Sequence, residues 1–247
     1  MGGFTNMNNL KNGFTLIELM IALAVGMIIM TAIYAMINLA QQTSSNIDRR
    51  VLTQQDARAA LDLMAMEVRM ASFNPNLTTS TWATHALASN NAICYNFTTT
   101  RKGIQTALGN SILIAMDLNS DGKIGGNAAN ADSEYIRYNY DITNSKITRR
   151  VSCGPTFDIL GGTGNSTMIS NNAVGVPLFE YFDINGNNIS TNVINAPDNV
   201  MIGINAIRRV RINIVADVEN EDKRGLLKVS RRTYSTDTLV RNHVFSP

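Results

Sequence analysis

Histidine is scarce in this 247-residue chain, with His85 and His243 the only two, tryptophan occurs once and cysteine twice. With so few bases, and with no Gly-x-Ser-x-Gly elbow, no P-loop and no His-Glu-x-x-His pair, nothing resembles a catalytic constellation, and the chain reads as a non-enzyme. Charged residues make up only 16%, with a net charge of +2. That is too near neutral to mark nucleic acid or an acidic molecule as a partner. The cysteines, Cys94 and Cys153, show no ligand spacing with either histidine, which argues against a metal. Two is the number for one disulfide if they lie outside the cytoplasm, and whether their Cα atoms approach closely enough stays open.

Charge is absent altogether from Leu19 to Leu39. A helix rises about 1.5 Å per residue and the hydrocarbon layer is about 30 Å thick, so about 20 apolar residues cross it. The run from Phe14 to Leu39 is long enough. A secretory signal peptide places small residues after its apolar core, whereas here Gly13 precedes the run, so a cut at Gly13 would leave the helix on the mature chain. Lys11 on the leading side favours a cytoplasmic N-terminus. Glu18 is the one acid at the head of this segment, and an ionisable group there costs about 2.5 to 3.5 kcal/mol on insertion scales. A cut after Gly13 would create an α-amino group on Phe14, and in a bundle of like helices one chain's Glu18 could neutralise a neighbour's amine. The alternative is that Glu18 lies at the interface and reaches to water.

The stretch Lys11-Asn12-Gly13-Phe14-Thr15-Leu16-Ile17-Glu18-Leu19-Met20 resembles the class III signal of type IV prepilins and type II secretion pseudopilins. The resemblance implies that a membrane-embedded prepilin peptidase cuts between Gly13 and Phe14 and methylates the new Phe14 amine. It also implies that Glu18 sets subunit registration.

Helical character is expected to continue beyond the membrane edge. Leu52, Ala59, Leu63, Met66 and Met70 fall on one helical stripe, which predicts the face that a sheet covers. Strong helix formers fill the intervening positions, and the helix is predicted to end near Ser72, before Pro75. The chain thus divides into a leader (1–13), a transmembrane or filament-core helix (14–40), its amphipathic continuation (41–73) and a β-rich head (74–247). Strands are predicted around Ile93 to Phe97 and over Ser111 to Met116, Glu134 to Tyr140, Lys146 to Ser152, Val174 to Tyr181, Ala206 to Val218 and Leu226 to Thr233. Val210, Ile212, Ile214 and Ala216 alternate with Arg209, Arg211 and Asn213, the pattern of a sheet with one wet face. Turns are predicted at Asp141 to Ser145, Asn185 to Asn187 and Asn220 to Arg224. No helix-length period recurs after Pro75, so the expected fold is α+β, a long N-terminal helix packed on an antiparallel sheet, as in type IV pilins.

Side-chain or backbone oxygens at the alternate positions Asp117, Asn119, Asp121 and Lys123, with a bend at Gly122, resemble the first part of a Ca²⁺ loop. The twelfth position is Ala128, so a bidentate ligand would have to come from Asp132 or Glu134. An Asx-turn explains the same residues, and both readings stay open. The turn Asp183 to Asn187 needs no metal. Arginines cluster at Arg149-Arg150, Arg208-Arg209 with Arg211, and Arg231-Arg232. Neighbours on a strand point to opposite faces, so these pairs are expected to split into ion pairs and solvated positions.

The stretch Gln54 to Ala71, with Asp117 to Ile124, Phe179 to Asn187 and the tail Arg232 to Asn242, resembles PilW-type minor pilins. This implies a low-abundance subunit that primes pilus assembly at the fibre tip. Its implied partners are other minor and major pilins, the prepilin peptidase, the inner-membrane assembly platform and a tip adhesin. A J-type minor pseudopilin of type II secretion and a pilin that binds DNA or a surface ligand are the alternatives. The implied location is the inner membrane with the head periplasmic, then the extracellular pilus.

Overall fold

The computed structural model describes residues 13–75, 103–120, 134–152, 154–162, 167–195, 201–221 and 227–241. A single helix, α1 (Leu16–Met70), takes 55 of them. Contacts divide the chain within α1 into two units, Met1–Ile47 and Asp48–Pro247.

In the first unit the Leu, Ile, Met and Ala that fill α1 favour helix. No residue from Leu19 to Leu39 is buried within the chain. An apolar surface of this extent needs lipid or other helices to cover it, and α1 is long and apolar enough to cross a membrane.

In the second unit, Ala57, Ala60, Leu61, Met64, Ala65 and Val68 are buried, a spacing of 3, 1, 3, 1 and 3 residues that forms one continuous helical face. This is not the stripe predicted from the larger residues. Leu52 and Met66 are each 53% exposed, Ala59 is exposed, and Leu63 and Met70 are half-buried. At about 100° per residue those five are centred well round α1 from the buried face, and of them Met70, packed against the edge of the core, and Leu63, in a groove beside Ile159 and Leu160, meet the sheets. The sheets take the face where alanines allow the helix backbone to come close, and periodicity of large side chains points away from it.

The helix ends at Met70 because Ser72 adopts a left-handed conformation (φ 67°). Its N–H leaves the helix and donates to the carbonyl of Ala115, 3.0 Å away. Gly103 (φ 73°) lies so close to Ser72 that any Cβ there would collide.

Five strands, β1 (Ile104–Ala107), β2 (Ser111–Ala115), β3 (Tyr135–Asp141), β4 (Lys146–Val151) and β5 (Thr156–Gly161), form an antiparallel sheet in chain order. The second sheet is built on β8 (Arg209–Glu221). It pairs along its length with β9 (Leu227–Leu239), while its other edge is shared by β6 (Thr167–Ile169) and β7 (Phe179–Phe182). Asn171 fills the gap between those two short strands. Its side-chain oxygen accepts the Val215 N–H at 2.8 Å and its side-chain nitrogen donates to the Asn213 carbonyl at 2.8 Å, completing the ladder of β8. Inner faces of both sheets and the buried face of α1 form one core, with Ile112, Tyr138, Ile147, Phe179, Ile212 and Ile214 fully buried.

The predicted α+β class holds, as do the strands that became β2, β3, β4, β8 and β9. The strand predicted over Val174 to Tyr181 is a 3₁₀ turn (Asn172–Val174), a left-handed Gly175 and then β7. Two short helices, α2 (Ser190–Asn195) and α3 (Met201–Asn205), were not expected. Burial of Val193 and Ile204, not local periodicity, holds them. The wet face predicted for β8 is only partly wet, since Asn213 and Val215 are buried beside Asn171. The strand predicted around Ile93 to Phe97 lies outside the described residues.

Candidate processing and assembly site

Gly13, Phe14 and Thr15 precede α1 and are exposed. A Cβ built on Gly13 meets nothing within 4 Å. Nothing in the described fold requires glycine there. Phe14, next in the chain, is 89% exposed.

Thr15 and Glu18 form a capping box. The Glu18 N–H donates to Thr15 Oγ1 at 3.3 Å, and the Thr15 N–H and hydroxyl both donate to Glu18 Oε2, at 3.0 and 2.9 Å. Otherwise orphaned N–H groups of the first turn are thereby satisfied. The carboxylate sits over the positive end of the helix dipole, beside the peptide that cleavage would sever. Sequence reading assigned Glu18 to a neighbour's amine and missed this local role, although Thr-x-x-Glu ahead of an apolar run carries it.

A second carboxylate ties α1 to the first sheet. Glu67 lies on the buried side of the helix and is 7% exposed. Arg149 on β4 grips it in bidentate fashion, Nη2 to Oε1 at 2.6 Å and Nε to Oε2 at 3.1 Å, and the Tyr138 hydroxyl on β3 donates to Oε2. Burial and the adjacent carboxylate push the Tyr138 hydroxyl far above its usual range, while the bond to Glu67 holds the Arg149 guanidinium above its own. The sequence signal was an acid in line with Ala60, Met64 and Ala71, where an apolar residue is expected.

The arginine pairs split as strand geometry demands. Arg149 turns inward to Glu67 while Arg150 donates to the Gly154 carbonyl at 3.0 Å. Arg209 and Arg211 both pair with Asp237, at 2.7 and 2.8 Å, and stack on Phe182 with guanidinium carbons 4.1 and 5.0 Å from the ring centre. Arg231 pairs with Asp217 at 2.7 Å.

Of the four candidate calcium positions, Asp117 and Asn119 are described and Asp121 and Lys123 lie outside the described residues. Asp117 is buried and its N–H donates to the Phe73 carbonyl at 2.9 Å. Glu134, one of the two possible closing ligands, accepts the Leu118 N–H at 3.2 Å through Oε1. Among the described residues no three His, Cys, Asp or Glu gather as metal ligands. The turn at Asp183 is closed as expected, its carboxylate accepting the Asn187 N–H at 2.8 Å. Cys94 and Cys153 lie outside the described residues, so their pairing stays a sequence expectation.

Two family models match this chain. One, described as a prokaryotic N-terminal methylation motif, matches residues 8–34 and so contains Gly13, the capping box and most of the charge-free helix. The other, described as prepilin peptidase-dependent protein B, matches residues 46–236, from the amphipathic part of α1 through both sheets into β9. No curated protein and no solved structure matches. With a glycine ahead of a capped, charge-free helix, and the second match spanning most of the sequence, this type IV pilin-like chain belongs to the prepilin peptidase-dependent protein B family.

Proposed function

We propose that this chain is a minor pilin of a type IV pilus, a structural subunit that primes assembly and sits at the fibre tip. Prepilin peptidase cuts it between Gly13 and Phe14 and methylates the Phe14 amine. Before assembly it rests in the inner membrane with its head in the periplasm, and it then leaves lipid for a bundle of like helices in the fibre.

The observation that carries this reading is the exposed, charge-free half of α1, opening on one capped carboxylate directly behind a glycine that the fold does not need. Such a helix is stable in lipid or among other helices and nowhere else. Cleavage at its cytoplasmic end removes the polar leader that would block its withdrawal from the membrane.

N-terminal peptide mass spectrometry of the chain from cells that contain the peptidase tests the processing step. The expected peptide begins at N-methyl-Phe14, and an intact 1–13 segment overturns the reading. Deletion is expected to abolish surface fibres. Loss of protein secretion with normal fibres would instead assign the chain to a type II secretion pseudopilus.

A further inference from the structure

Within the second unit, Tyr138 and Arg149 reach inward to Glu67 on α1, so their neighbours on β3 and β4 point to the other side of the first sheet. Strand register sets Arg137 directly opposite Arg150, and Arg150 opposite Thr156 on β5. The next row holds Asn139 opposite Thr148. Like charges that face each other across two strands destabilise a sheet. Both arginines are also half-buried, so an added negative charge between them lowers the energy of the row.

These side chains line a basin of about 400 Å³ that extends along the strands to Asp141 and Lys146. Its volume is that of a small-ligand pocket. No apolar side chain lines it, so it suits a molecule that is polar on every side. Charge within it is segregated. At one end Lys146 pairs with Asp158 at 2.9 Å, and the Asp141 carboxylate accepts from the Asn144 backbone and side chain at 3.1 and 2.6 Å. Arg137 lies four residues along β3 from Asp141, about 13 Å away at the rise of a strand. With Arg150 it makes the cationic end, and Asp141 is the one carboxylate among the lining residues. Arg150 Nε donates to the Gly154 carbonyl at 3.0 Å, which fixes its guanidinium in place before any ligand arrives. Asn139 and Thr156 flank the arginines with an amide and an exposed hydroxyl.

We propose that this basin binds an acidic sugar unit, its carboxylate held between Arg137 and Arg150 and its hydroxyls on Asn139, Thr148 and Thr156. Guanidinium forks match a carboxylate in plane and charge, and a hydroxyl-bearing ring with one acid is polar over its whole surface. Nucleic acid fits less well, because it needs cations along a stripe for successive phosphates. Here the next cation on the face, Lys146, is already engaged by Asp158. The basin belongs to the head and does not depend on the pilin reading above.

Saturation-transfer NMR on the full-length chain in a non-ionic, sugar-free detergent tests this, with glucuronate and glucose as ligands and inorganic sulfate as competitor, at about 0.15 M salt. Glucuronate is expected to bind with Kd below about 1 mM, glucose at least about tenfold more weakly, and sulfate to displace glucuronate only at about tenfold higher concentration. Thr156→Glu sets a carboxylate opposite Arg150 at an exposed position. It is expected to keep or raise the urea midpoint while weakening glucuronate binding about tenfold or more, and Arg150→Gln to weaken it as much. Arg232→Gln, at an exposed position on β9 outside the basin, is expected to leave binding unchanged. No saturation up to about 10 mM glucuronate overturns the proposal. So does glucose or sulfate binding as tightly as glucuronate, undiminished binding in either folded basin variant, or an equal loss in Arg232→Gln.

Discussion

At Glu18 two physical demands fall on one side chain. As the third residue of the helix it accepts from the Thr15 backbone and hydroxyl, which any amide or carboxylate oxygen can do, whereas neutralising an amine on a neighbouring chain requires charge. Glutamine separates the two because it keeps the cap and loses the charge. Glu18→Gln is expected to remain in the membrane with its helix start intact and to be depleted from sheared fibres as strongly as Glu18→Ala. Wild-type recovery of Glu18→Gln, set against loss of Glu18→Ala, would reduce the role of Glu18 to capping. At Glu67 the logic concerns stability. Removing one partner of a buried ion pair strands the other, so Arg149→Ala is expected to cost about 3–5 kcal/mol in urea unfolding. Replacing the group together, as Glu67→Leu, Arg149→Leu and Tyr138→Phe, is expected to cost much less, because no buried charge or hydroxyl is left without a partner. An equal loss in both variants would mean that packing, not charge, holds this contact.

Among the elements, β8 depends most on a single side chain outside it. Asn171→Ala would leave the Val215 N–H and the Asn213 carbonyl without partners in a region sealed from water, an expected loss of about 3 kcal/mol. Amide exchange at Val215 should accelerate beyond the change in global stability. Unchanged protection there would show that water or a shift of β6 replaces the asparagine. What was legible in the sequence follows from the same distinction between local and distant causes. β3 and β4 alternate apolar and polar residues and end at Asn- or Gly-bearing turns, and β8 alternates from Arg209 to Ile214, so each declares itself locally. β1, β5 and β6 are three to six residues long and exist because neighbouring strands offer free edges. The face of α1 was misread because Leu and Met outweigh alanine in any hydrophobic count, while close packing on a sheet selects alanine. Gly13 and Glu18 could be read because their chemistry is contiguous. The partners of Glu67 are 71 and 82 residues away, and no spacing rule reaches that far.

For the molecule as a whole, the two units call for different solvents. Every buried residue of α1 lies at or beyond Thr53, so a chain beginning at Asp48 retains the helical contribution to the core and omits the exposed apolar run. That fragment is expected to be soluble without detergent and to unfold in one cooperative transition. Aggregation or a featureless melt would show that the first unit is needed for folding. Its stability should form a plateau in pH bounded by two sets of groups. Bonds from Arg231 and Arg211 hold Asp217 and Asp237 below the ordinary aspartate value of 3.8, so the stability they contribute is present above that value and is lost as pH falls through their folded-state values. Burial raises the hydroxyls of Tyr138, Tyr140 and Tyr181 above the ordinary 10.0. The unfolded chain therefore releases these protons first, and stability declines as pH rises past that value. Urea midpoints measured from about pH 3 to about pH 11 should show both slopes. Tyr140→Phe with Tyr181→Phe is expected to lower the plateau, since the hydroxyl bonds to the Ile169 and Leu108 carbonyls are lost, and to flatten the alkaline slope while leaving the acid slope unchanged, because neither hydroxyl touches a carboxylate. An alkaline slope as steep as that of the wild type would assign the high-pH loss to groups other than the buried phenols.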